Sequence, residues 1–213
     1  NLSVWLLNAG LLGSVISILL RSQLKFVFAL VIIAALAIYG WELAAIVRAR
    51  RRSALDWGVK SFLTAVAMLA PLSLLAAILA WPRLPLNPFT GQLENLYGFL
   101  GLIGFVTFAI IGMLHKIIPF LVWFHTYSPH VGKAQLPALA ELYSERVQVA
   151  SFWTWQAGLV VTCAGIFAEN AVLARSGAML LAASLALFAV NIGKILSHIA
   201  RPVLKPFPAP TCK

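Results

Sequence analysis

Apolar residues fall in six long runs, at residues 4–20, 26–47, 61–81, 96–124, 147–168 and 176–195, and polar residues gather between them. A helix needs about 20 consecutive apolar residues to cross a hydrocarbon core near 30 Å thick, and each run approaches or exceeds that length. Strands of a membrane barrel would alternate in character, whereas residues 28–38 are apolar at every position. The pattern therefore predicts an all-α polytopic transmembrane bundle of six spans, forming one transmembrane domain over residues 1–213. The fourth span carries Pro119, so a kink is expected there.

Composition strengthens this reading. The chain of 213 residues is 62% apolar and 10% charged, against roughly 45–50% and 25% in globular proteins. So little charge cannot coat a water-soluble fold of this size, which excludes soluble enzymes, disulfide scaffolds, disordered tails and nucleic-acid readers. Cys163 and Cys212 form no metal-type pair, and a disulfide role is not expected. The chain opens at Asn1 with no basic residues before its first apolar run, which reads as a piece of a longer protein rather than a secretory leader.

The net charge of +10 is informative through its location. Arg48, Arg50, Arg51, Arg52, Lys60, Lys116, Lys133, Arg146, Lys194, Arg201, Lys205 and Lys213 share one side of the bundle; Arg21, Lys25, Arg83 and Arg175 share the other. Such asymmetry puts the richer side, with both termini, in the cytoplasm. The Arg48–Arg52 cluster is read as this orientation signal, in preference to a nucleic-acid or lipid-headgroup patch. Trp41, Trp57, Trp81, Trp123, Trp153 and Trp155 fall near span ends, where an indole keeps its ring in lipid and its N–H near water.

Candidate chemistry concentrates in and after the fourth span. Gly98, Gly101, Gly104 and Gly112 strip one helix surface of side chains, which predicts a close helix crossing; a flat cofactor such as haem is the alternative. His115 and Lys116 precede Pro119, with His125 and His130 beyond it. No spacing here is a metal signature, but a haem iron needs only one or two imidazoles, which different helices can supply. Lys116 can snorkel to the boundary, and His115 can bond a carbonyl. Asn191, Lys194 and His198 form a polar stripe on the sixth span. Glu42 is the carboxylate set well inside an apolar run, and an ion pair with Arg48 or Lys194 is its expected role. No nucleophile and base, paired carboxylates or phosphate-cradling loop point to hydrolysis or phosphoryl transfer.

The stretch Gly104-Phe-Val-Thr-Phe-Ala-Ile-Ile-Gly-Met-Leu-His-Lys-Ile-Ile-Pro-Phe-Leu-Val-Trp-Phe-His-Thr-Tyr-Ser128, followed by Gly132-Lys133 and Leu136-Pro137, resembles a group of bacterial membrane proteins. They are related to haem–copper oxidase subunit I, in its C-type oxidase and nitric oxide reductase branch. Such proteins carry roughly twice as many spans, so the resemblance implies the C-terminal half of one. It also implies a haem- or copper-handling ancestry in the bacterial inner membrane. Relatives place histidines near the start of the matching helix, where this chain has Tyr97, Gly98 and Phe99. Four histidines cannot supply the full ligand set of an oxygen-reducing centre. The chain is thus not expected to be catalytic on its own. At most it offers axial ligands to haem b, with His125 and His115 the candidates because they lie inside the matching motif.

The leading expectation is a multi-pass subunit of a respiratory or redox membrane complex, structural or haem-associated in electron transfer, with lipid and other membrane subunits as partners and no nucleic acid. A non-catalytic assembly or anchoring subunit is the close alternative. Half of a transporter is the third, motivated by Pro119, Glu42, Asn191 and Lys194. The loop over residues 126–146 is the candidate docking surface.

Overall fold

The computed structural model describes residues 2–20, 22, 24–50, 55–85, 87–132 and 134–202. Arg21, Arg51, Arg52, Lys133, Lys205, Cys212 and Lys213, all weighed above, lie outside the described residues. The described chain is helical: α1 (Leu2–Leu19), α2 (Lys25–Arg48), α3 (Trp57–Ala67), α4 (Leu69–Leu79), α5 (Pro88–Phe99), α6 (Phe108–Tyr127), α7 (Glu145–Phe167) and α8 (Ala171–Ala200). A π-helical stretch, Leu100–Thr107, joins α5 to α6. Among the described residues, six continuous stretches are long and apolar enough to cross a membrane: α1, α2, α3 with α4, the run Pro88–His130, α7 and α8. The chain is a multi-pass membrane protein with an all-α bundle fold.

Local chemistry sets the breaks. Pro71 lacks the N–H that residue 67 would bond, and the helix is interrupted at Met68, whose N–H is shared between the carbonyls of Thr64 and Ala65. In the glycine-containing π stretch, the Thr107 hydroxyl donates to the Leu102 carbonyl at 2.8 Å, five residues back. Pro119 lies buried inside α6. The fourth and sixth spans are longer than their apolar runs. Asn87 caps α5 by accepting from the Thr90 N–H, with Pro88 in the first turn, so the helix begins eight residues before the expected 96. Asn170 caps α8 through the N–H groups of Val172 and Leu173.

Packing is densest between α7 and α8, which run antiparallel with small residues at the seam. A Cβ on Gly158 would fall 2.9 Å from the Leu181 backbone nitrogen; Gly165 abuts the Ala174 backbone, and Gly177 abuts Thr162. The Ser184 hydroxyl donates to the Ser151 carbonyl at 2.7 Å, and the Ser151 hydroxyl has the Ser184 hydroxyl at 3.0 Å and the Ser184 carbonyl at 3.1 Å as acceptors. The main core joins α3, α6, α7 and α8 through Ala65, Phe108, Ile111, Trp155, Leu159 and Leu181. Trp155, expected at the lipid interface, is instead buried and stacked on Phe108 with centroids 5.5 Å apart, because it lies on the face of α7 that carries Ser151 and Leu159 into the bundle, whereas Trp153 lies on the exposed face.

Contacts pair the loop ends in two groups, as alternating spans require. At one end, Gln92 bonds Glu169, Phe26 meets Trp81 and Phe89 meets Phe167. At the other, the basic end, residues from the starts of α3 and α7 meet those of α6 and α8.

Candidate functional site at the basic end of the bundle

At the basic end Asp56, just before α3, sits between Lys116 of α6, with Nζ 4.0 Å from Oδ2, and Tyr143, whose hydroxyl donates to Oδ1 at 3.5 Å. Both contacts are long and partly exposed, so they orient the ends more than they stabilise them. Trp57 Nε1 donates to Glu145 at 3.1 Å, and the Lys60 ammonium stands 3.7 Å from the centre of the Trp57 ring. The Ser144 N–H, at the start of α7, donates to the Asn191 side chain of α8 at 2.9 Å. Burial first, then the charges of Asp56 and Glu145 and the bond to Asp56, push the Tyr143 phenol above its usual range.

Asp56, Trp57, Lys116 and Glu145 mark the level where α3 and α7 begin. The helix α6 continues past it, and so does α8 beyond Asn191. These two ends run side by side, joined by buried Val122, Tyr127 and Ile195 and by a 2.9 Å hydrogen bond between Tyr127 and His198; the connection to α7 packs on them through buried Leu142 and through the Pro137 carbonyl, which accepts from Trp123 Nε1. The run Pro88–His130 holds 43 residues, about 65 Å of helix against a core near 30 Å. A pillar therefore stands beyond the other helices. Its outer face carries Ile117, Phe120, Leu121 and Phe124, each about half exposed, at the 3–4–7 spacing of one helix stripe.

His115 lies beneath the pillar and is buried. Its Nδ1–H donates to the Ile111 carbonyl at 2.9 Å, which leaves Nε2 as a bare acceptor, and no described group reaches it. Phe188 lies edge-on to the ring, centroids 4.9 Å apart. His125 is exposed on the same helix. Ten residues of helix separate the two by about 15 Å, so a single iron cannot take both. Nε2 of His115 is a suitable donor for haem. No space opens at that nitrogen: Nε2 is buried, and Phe188 packs edge-on against the ring. The residues present do not fit a haem here. Among the described residues no three His, Cys, Asp or Glu side chains converge as metal ligands.

The expected glycine stripe divides. Only Gly112 makes a close crossing, with its Cβ position 2.8 Å from the Phe62 backbone nitrogen and 3.0 Å from the Gly58 carbonyl. Gly98 meets nothing, Gly101 has a Leu72 methyl at 3.7 Å, and Gly104 meets Leu100 of its own helix at 3.4 Å. The π stretch between Gly98 and Gly112 changes the helical phase and turns them to different faces. The expected pairing of Glu42 with Arg48 or Lys194 does not form: all three are exposed, and it is Lys116 that pairs, with Asp56. Six residues of helix place Glu42 and Arg48 on different faces of α2. The α7–α8 seam was not anticipated, although Ser151, Gly158 and Gly165, and Gly177, Ser184 and Asn191, each recur at intervals of seven.

No family model matches the chain, and no curated protein or solved structure matches it either.

Proposed function

We propose that the chain is a structural subunit that anchors a larger, redox-type membrane assembly in the bacterial inner membrane, with its basic end in the cytoplasm. The pillar carries this reading. Two helix ends knitted by Tyr127, His198, Val122 and Ile195 extend past the ring of charged residues at Asp56, Lys116 and Glu145, and their outer stripe is apolar. A rigid apolar stripe of four large side chains at that level suits a partner helix. The basic residues around it support the cytoplasmic orientation. The redox assignment rests on the resemblance of residues 104–128 to the oxidase-like group, and that group supplies the expected partners.

The experiment is isolation of the assembly from native membranes with Phe120→Ser/Phe124→Ser. Loss of co-purifying subunits with the chain itself still monodisperse supports the anchoring role; full retention overturns it. A reduced-minus-oxidised spectrum of the purified chain addresses the haem-associated alternative. Haem bands that vanish in His115→Ala would replace the structural reading by that one.

A further inference from the structure

Along one side of α2, Ala37, Gly40 and Ala44 face Ala67, Ala70 and Ser73 of α3 and α4. Small residues at spacings of three and four ordinarily let membrane helices close on one another. Here α2 packs on α4 but stands away from α3. A groove of about 570 Å³ lies between them, and a Cβ added at Gly40 meets nothing within 4 Å. That volume lies in the range of small-molecule sites. The lining is apolar except for the Tyr39 and Ser73 side chains.

Shape and charge select the occupant. On α2 the lining runs from Ile33 to Val47, a helical rise of about 21 Å, which exceeds the roughly 15 Å depth of one leaflet's hydrocarbon. An extended acyl chain fits lengthwise. The groove ends at the basic end of the bundle: exposed Arg48 follows Val47, and Lys60, over Trp57, lies one turn before Leu63 of the lining. Asp56, on the same connection, is engaged by Lys116 and Tyr143, and Glu42 is not part of the lining. An apolar slot longer than one leaflet is deep, whose two walls continue at the basic end into Arg48 on α2 and Lys60 on α3, complements an acyl chain carrying a negative headgroup.

We infer that the groove between α2 and α3–α4 binds an anionic phospholipid, with one acyl chain along Ala37, Gly40 and Ala44 and its phosphate between Arg48 and Lys60. This site is separate from the pillar and does not depend on the anchoring role.

Native mass spectrometry of the full chain in mild detergent, with phosphatidylglycerol and phosphatidylcholine added in equal amounts, tests it. The wild type should retain phosphatidylglycerol about twenty-five-fold better, since each of the two cations near a membrane surface contributes about a fivefold preference. Arg48→Gln/Lys60→Gln should abolish the preference and leave weak binding of both lipids. Gly40→Leu, or Ala44→Leu as a second filling variant, should lower retention of both lipids while circular dichroism stays unchanged. Equal retention by the wild type, a preference that survives Arg48→Gln/Lys60→Gln, or undiminished binding in both folded filling variants would overturn the inference.

Discussion

The backbones of Gly58 and Gly112 touch: the carbonyl oxygen of each lies 3.0 Å from the point where a Cβ on the other would stand. This crossing locks α3 against α6 one turn from the Lys116–Asp56 pair, and it sets the height from which the pillar rises.

Gly112→Ala should therefore be costly, because its new methyl would sit 2.8 Å from the Phe62 nitrogen, and a backbone atom cannot move aside as a side chain can. We expect a loss of about 1–3 kcal/mol, read as a lower midpoint of thermal unfolding in detergent. Gly98→Ala, at a position with nothing within 4 Å, should leave the midpoint unchanged or slightly raised. Equal effects of the two substitutions would contradict the crossing.

The α7–α8 seam makes a second prediction. Ser151 and Ser184 are buried and bond to each other, so a double-mutant cycle with alanine should return a coupling of about 0.6 kcal/mol, the average found for membrane side-chain hydrogen bonds. Gly177→Val, against the Thr162 backbone, should separate the helices and cost more than either serine change.

The spans were legible because lipid imposes a crude rule, a score of consecutive apolar residues, that the chain obeys six times. What lay beyond that rule was harder to read. Asn87-Pro88 is a cap followed by a first-turn proline, yet its polar surroundings read as loop. Trp155 resembles an interface tryptophan until the face of α7 that it shares with Ser151 and Leu159 is known to meet the bundle. The glycines from Gly98 to Gly112 look like one face only if the helix keeps its pitch, and the π stretch breaks it. Of the site, His115 stood out by residue type, but its burial and bare Nε2 depend on α8 bringing Phe188 against it.

Tyr143 predicts a pH dependence. Its phenol is shifted above 10.0, chiefly by burial and then by the charges of Asp56 and Glu145, so the folded chain holds this proton more tightly than the unfolded chain does. Its contribution to stability is complete below pH 10 and falls as pH rises from there through the folded-state value. Denaturation midpoints should decline over that window in the wild type and decline less in Tyr143→Phe; identical profiles would refute the assignment.

His115→Phe should be tolerated. The substitution gives up the bond to the Ile111 carbonyl, worth about 0.5–1.5 kcal/mol, but it also removes an unpartnered buried nitrogen and keeps a ring against Phe188. A net change below about 1 kcal/mol in thermal unfolding is expected. A loss several times larger would mean that Nε2 holds a buried partner.

Sidedness tests the whole account most directly. Cysteines placed singly at Arg48, Glu141 and Arg201, and at Lys25, Arg83 and Glu169, in a background with Cys163 and Cys212 replaced by alanine, can be labelled with a membrane-impermeant maleimide in right-side-out and inverted membrane vesicles. The first three should react only in inverted vesicles and the last three only in right-side-out ones. If Arg48 and Glu141 reacted from opposite sides, the basic end would not be one end, and the pillar and the anchoring role built on it would both fail.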